Sequence, residues 1–168
     1  MTDSPSPAFL SPSRCEPGTL ESPIRRALAE TDPGLVEDLW LDGKVELRGD
    51  LELVEIVAGE RLVRLSPRRG LLLTSEDPAD RVGQLRAGGL LAYDATGALA
   101  GIALTGERAM RRLTDLDLDA LPAAGPFANV PAVILRDGEE RFRVYVAQEL
   151  GHYVAEAVLD ALAGLEEA

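Results

Sequence analysis

The stretch from Gln148 to Leu165 limits the possible folds more than any other part of the chain. Its apolar residues Leu150, Tyr153, Val154, Ala157, Val158, Ala161, Leu162 and Leu165 recur every three or four positions, which winds them into one wide stripe along a helix. Such a stripe needs a broad apolar surface beneath it, and the rest of the chain offers strands. Val45 and Leu47 alternate with Glu46 and Arg48, as in a half-buried strand. RLVRLS (Arg61–Ser66) and LLLTS (Leu71–Ser75) flank Pro67-Arg68-Arg69-Gly70, a hairpin turn. Further strands are expected at Leu90–Asp94, Gly101–Thr105, Val130–Leu135 and Phe142–Val146.

Helices fall between them. Asp77-Pro78 opens one that runs to about Ala87 and stops at Gly88-Gly89. Glu107–Leu113 is a second, and Leu51–Val57 a short third. Pro23–Ala29 (PIRRALA) is a fourth, with Ser22 as N-cap and Pro23 at the first helical position. Residues 1–19 are rich in Pro and Ser, lack periodicity and read as a disordered leader. The expected fold class is therefore α+β, in a single domain over residues 20–168.

The order strand, Gly, helix, strand, turn, strand, helix occurs twice. Gly49 and Gly106 sit at matching points, and Ala87-Gly88 and Ala163-Gly164 close the two copies. The second copy is longer, and its extra length falls between its first helix and its next strand, in the interval that holds TDLDLDALPAAGPFAN. An internal duplication is predicted, with pseudo-repeats over about 35–89 and 90–168.

Composition narrows the chemistry. The 168 residues carry 29 acids against 17 bases, a net charge of −12. That balance opposes nucleic acid and anionic membrane surfaces as partners. No apolar run reaches the roughly 18 residues of a membrane span, and the N-terminal stretch lacks the charge and apolar pattern of a secretory signal. One cysteine, Cys15, allows no intrachain disulfide, and the cytoplasm is the expected compartment. With one histidine besides, a Cys/His zinc site is excluded. Lys44 is the sole lysine and so the one candidate for Schiff-base chemistry.

Four features bear on function. Asp115, Asp117 and Asp119 have the opening spacing of a calcium loop, but Ala120 and Pro126 occupy the positions that require Gly and Glu. The interleaved Leu116, Leu118 and Leu121 instead suggest an extended segment with leucines inward. His152 lies between Glu149 and Glu156 at surface-pairing distances along a helix, and no G-x-S-x-G accompanies it. Neither G-x-G-x-x-G nor a Walker loop is present. Arg108, Arg111 and Arg112 on one short helix balance the nearby aspartates or clamp a carboxylate. The residues alone give a soluble α+β domain with no evident active site.

Three stretches carry a family resemblance. They are SPIRRAL (Ser22–Leu28), LLAYDATGALAGIALTGERAMRRLTDLDLDALP (Leu90–Pro122) and VPAVILRDGEERFRVYVAQELGHYVAEAVLDAL (Val130–Leu162). In order and spacing they resemble the gamma subunit of heterotetrameric sarcosine oxidase. More distantly they are similar to the folate-binding domain of the glycine-cleavage aminomethyltransferases. The resemblance covers about Leu20 to Leu165 and implies a fold of two related α+β halves. In the aminomethyltransferases the strand matching Val130–Leu135 reads like Gly-Gly-x-x-Asp-Asp, with a catalytic Asp. Here Asn129-Val130-Pro131-Ala132-Val133-Ile134 has no carboxylate, which speaks against aminomethyl transfer.

The resemblance implies a non-catalytic subunit of a complex that demethylates sarcosine oxidatively and hands the one-carbon unit to tetrahydrofolate. No catalytic residue and no metal are expected in this chain. FAD, FMN, NAD and zinc would belong to partner subunits, a large flavoprotein and an amine-oxidase-like chain. The rival reading is a stand-alone folate-binding, aminomethyltransferase-like protein. It needs a pocket between the halves with a carboxylate for the pterin, for which Glu107, Asp115 and Asp117 are the candidates. A monomeric relative that has left any such complex is the third reading.

Overall fold

A computed structural model describes residues 22, 24–29 and 31–166. The predicted leader, residues 1–19, lies outside the described residues. Among the described residues nine strands form two antiparallel sheets. The first sheet contains β1 (Val36–Asp38), β6 (Leu99–Thr105), β9 (Arg141–Ala147), β8 (Val130–Arg136) and β7 (Ala123–Phe127), in that order. The second contains β3 (Arg61–Ser66), β4 (Arg69–Thr74), β2 (Gly43–Arg48) and β5 (Leu91–Asp94). Three α-helices lie among the described residues: α1 (Pro78–Ala87), α2 (Glu107–Leu113) and α3 (Gly151–Glu166).

The period-2 alternation of the strands assigns the layers. On β6, Ala100, Ile102 and Leu104 join the core under α2 and α3, with Phe142, Val144 and Val146 of β9 and Val154, Ala155 and Val158 of α3. The opposite face of the same sheet, with Ala103, Leu135 and Tyr145, packs on Val63, Leu71 and Leu73 of the second sheet. The second sheet turns Val45, Leu47 and Leu72 the other way, against Val82 and Leu85 of α1. The result is four layers: α1, the second sheet, the first sheet, then α2 with α3. Both faces of each sheet are covered over most of their area, which is why β4 reads as a continuous apolar run.

The caps explain the helix limits. Asp77 accepts hydrogen bonds from the Ala79 and Asp80 N–H groups, Pro78 follows it, and Gly88 and Gly89 close α1. At α2 the cap comes from afar: the Glu140 carboxylate, on the β8–β9 turn, accepts the Glu107 N–H at 2.7 Å. Gly49 and Gly106 leave β2 and β6 with φ of 132° and 115°, a backbone region only glycine enters without strain.

The predicted strands and the three longer helices are present with small shifts of their ends. Four expectations change. Residues 24–29 form hydrogen-bonded turns and not an α-helix, although the Ser22 hydroxyl does accept the Ile24 N–H. The helix expected at Leu51–Val57 shrinks to a 3-10 turn at Leu51–Leu53 capped by Asp50. Strands β1 and β7 were not expected, and β7 with its 3-10 turn at Leu118–Ala120 fills much of the interval taken as a connection. Each sheet also takes one edge strand from across position 89: β1 pairs with β6, and β5 with β2.

Candidate functional site

The sheet-to-sheet seam is apolar in its middle and polar at the end where β2 begins and β9 passes. Lys44 opens this region. It follows Gly43, whose added Cβ would lie 2.8 Å from Thr74, so the strands approach closely there. The Lys44 side chain is fully buried. Its Nζ donates to the carbonyls of Leu39 at 3.1 Å, Trp40 at 3.4 Å and Asp42 at 2.8 Å, and lies 5.8 Å from the centre of the Tyr145 ring. Burial pulls its pKa below the ordinary lysine value, against the opposing pull of Asp42, Asp38 and Asp94. All three ammonium donors are used, so Lys44 ties a turn and presents no free amine to a carbonyl substrate.

Tyr145 projects from β9 into the same space and donates its hydroxyl to Asp42 Oδ2 at 2.9 Å. Burial, reinforced by the Asp42 charge, raises its pKa and holds the phenol protonated. Arg143, two places earlier on the same strand face, donates to Asp137 at 3.0 Å. Asp137 also pairs with Arg61 of β3, and Arg61 Nη2 donates to the Arg136 carbonyl at 2.9 Å. These contacts bridge the two sheets.

A cavity of about 330 Å³ opens beside this network, with Asp42, Gly43, Thr74, Ser75, Glu76 and Arg143 in its wall. It lies in the lower part of the size range of small-molecule sites. Its groups can accept and donate hydrogen bonds and balance charge. The histidine His152 is not in this wall: it is on α3, exposed, with Nε2 3.3 Å from Glu156. Among the described residues no group of three His, Cys, Asp or Glu side chains converges to hold a metal.

The three carboxylates named from the sequence lie elsewhere and apart. Glu107 begins α2, with Oε1 2.7 Å from Arg111 and Oε2 3.0 Å from Arg136, and Arg111 followed by Arg136 holds its pKa below the usual carboxylate value. Asp115 lines a smaller hollow of about 140 Å³ with Arg112, Thr114 and Asn129. Asp117 caps the 3-10 turn by accepting the Asp119 N–H, and Asp119 pairs with Arg136 at 2.8 Å. The leucines between them turn inward, Leu118 completely. Of the arginines on α2, Arg111 is spent on Glu107 and Arg112 reaches the Ala161 carbonyl of α3 at 3.4 Å. Asp42 and Glu76, the carboxylates that do line the seam cavity, were missed. The one signal for them was a turn residue before β2 and an acid ahead of the α1 cap.

No protein-family model matches the chain, and no protein of curated function matches it. A solved structure does. A chain of the heterotetrameric sarcosine oxidase from Corynebacterium sp. U-96, in complex with pyrrole 2-carboxylate, superimposes with a TM-score of 0.68. The match covers 77% of this chain and 83% of that one, at 17% sequence identity. The fold is therefore related to that of a sarcosine oxidase chain.

Proposed function

We propose that this chain is a gamma-type, non-catalytic subunit of a sarcosine-oxidase-like complex, and that it supplies structural surface for assembly. The observation that carries the proposal is the near-complete overlap of the two chains: 83% of the sarcosine oxidase chain finds a counterpart here. The spent ionisable groups agree with it. Lys44 is consumed by carbonyls, Asp42 by Tyr145 and Glu107 by two arginines. On this reading the flavins, NAD and zinc sit in the partners, a large flavoprotein and an amine-oxidase-like chain, in a cytoplasmic heterotetramer. The one-carbon unit released from sarcosine passes there to tetrahydrofolate.

The matching paths of the sheets support two related halves, similar to the aminomethyltransferase folate-binding domain. In each, a strand ends at a positive-φ glycine, a helical turn follows, and a later hairpin returns to pair with that strand. Recovery of the tagged chain from its native host at moderate salt tests the proposal. Co-elution with a yellow flavoprotein supports it, and elution alone counts against it.

A second reading, a stand-alone folate-binding protein, draws on one observation. The seam cavity carries two carboxylates, Asp42 and Glu76, and Leu41 at its rim is 88% exposed. A carboxylate facing a pterin is what that reading needs. The sole tryptophan, Trp40, adjoins the rim residue, so its fluorescence is the readout. Saturable quenching by tetrahydrofolate, lost in Asp42→Asn, would favour this reading, and a flat titration would remove it.

A further inference from the structure

The seam closes on ion pairs at its Arg143 end and opens onto apolar surface at the other. There a hollow of about 170 Å³ is walled by Leu65, Leu71, Leu99 and Val133, with Glu46 and Arg69 at its border. Strand β6 begins at Leu99, while the second sheet runs on through β5. Cross-strand register sets Tyr93 beside Glu46 and Leu91 beside Arg48, and Glu46 and Arg48 in turn beside Leu71 and Arg69. These side chains therefore share the face that lines the hollow. Leu91 is 59% exposed and Tyr93 47% exposed, so the apolar surface continues from the hollow to the sheet edge.

The charge here departs from that of the whole chain. Arg48 and Arg69 both donate to the same Glu46 oxygen, each at 3.0 Å. Two guanidinium groups on one carboxylate leave surplus positive charge, in a protein whose net charge is −12. The free edge of β5 is partly obstructed by a side chain. Ala95 N–H bonds the Lys44 carbonyl, and ladder alternation turns the Ala92 carbonyl outward. Arg86 Nε caps that carbonyl at 2.9 Å, with its guanidinium 5.7 Å from the centre of the Tyr93 ring. That side chain disfavours a strand added along the edge and leaves the face as the open surface.

We propose that this face docks a partner protein through an acidic surface segment. The segment seats one bulky apolar side chain in the hollow and sets its carboxylates against Arg48 and Arg69. A central apolar anchor in a small pocket with a charged border is the usual construction of a binding hot spot, and the border charges govern encounter and salt dependence. The inference rests on the reading of the chain as a subunit and adds to it the surface used.

Two measurements test it separately from that reading. The first is an NMR titration of the purified chain with a short peptide of glutamates around one central phenylalanine, at low salt. The expected result is saturable shifts at Leu91, Tyr93, Ala98 and Leu99, at least tenfold weaker binding by Arg69→Glu, and none by the Leu91→Asp, Tyr93→Asp double variant. Unchanged α3 resonances establish that the double variant is folded. No shifts, shifts elsewhere, or equal binding of a lysine-for-glutamate peptide would overturn the proposal. Self-association lost in Tyr93→Asp would assign the face to a second copy and overturn it too. The second measurement is hydrogen exchange of the chain within its co-purified assembly. Protection of residues 91–99 supports the face, and protection only elsewhere rejects it while the subunit reading stands. If the chain elutes alone the subunit reading fails, and the peptide titration then decides the face by itself.

Discussion

Lys44 is the residue whose environment does most to define this protein. Each of its three carbonyl contacts is a hydrogen bond to a buried charge, the kind worth about 1.5–3 kcal/mol. Lys44→Met keeps the bulk but removes the charged donor shared by the Leu39, Trp40 and Asp42 carbonyls, of which only Leu39 also accepts a backbone N–H, from Asp42, and is expected to lower stability by about 3 kcal/mol, read from urea unfolding. Because Lys44 is the only lysine, amine acylation provides a second check. The folded protein should leave the Lys44 amine unlabelled, with label appearing there only on unfolding. Labelling of Lys44 in the folded state would contradict its burial. Part of this was legible in the sequence. Alternation sets Glu46 and Arg48 opposite Val45 and Leu47, on the outer face of a half-buried strand, and Lys44 lies two places before Glu46 on that face. What alternation could not supply was a second sheet stacked on that face, because contacts far apart in sequence create that layer.

At the scale of elements, the segment after β2 is held by one buried pair. Glu60 and Arg81 meet at 2.7 Å with side chains 0% and 6% exposed, and Glu60 also accepts the Val57 N–H while Arg81 reaches the Glu55 carbonyl. Burial pushes Glu60 upward, but Arg81, Val57 and Thr74 outweigh it, so its pKa falls below the ordinary 4.5. A lowered folded-state value means that its contribution is complete above pH 4.5 and is lost as pH falls through the folded value. Glu60→Gln should therefore cost about 3 kcal/mol near neutrality and show a shallower loss of stability in acid than the wild type. Urea midpoints along a pH series measure both.

Gly106 opens α2 at φ 115°, so Gly106→Ala should cost about 2 kcal/mol from strain alone, whereas Gly138→Ala, with open space around its Cβ, should be near neutral. Helix α1 was readable because its signals are local: Asp-Pro before it and Gly-Gly after it. Strands β1 and β7 were not. The first is three residues long, the second reads Ala-Ala-Gly-Pro-Phe, and both are sheet edges formed by pairing with strands already in place.

For the whole molecule, two sheets stacked between helices leave a seam with a polar end and an apolar end. The class of the fold was readable because short alternating strands and one strongly striped helix admit few arrangements. The candidate site was not, since the seam residues Asp42, Glu76 and Arg143 come from separate elements and share no motif. Glu107, Asp115 and Asp117, close in sequence, diverge to three separate tasks in capping, pairing and lining a minor hollow. No helix among the described residues is long and apolar enough to cross a membrane. The measurement that tests the central claim most directly is native mass spectrometry of the tagged chain recovered from its host at moderate salt. The account predicts an assembly that contains flavin and releases this 17.9 kDa chain on activation together with larger subunits. A lone 17.9 kDa species would contradict it.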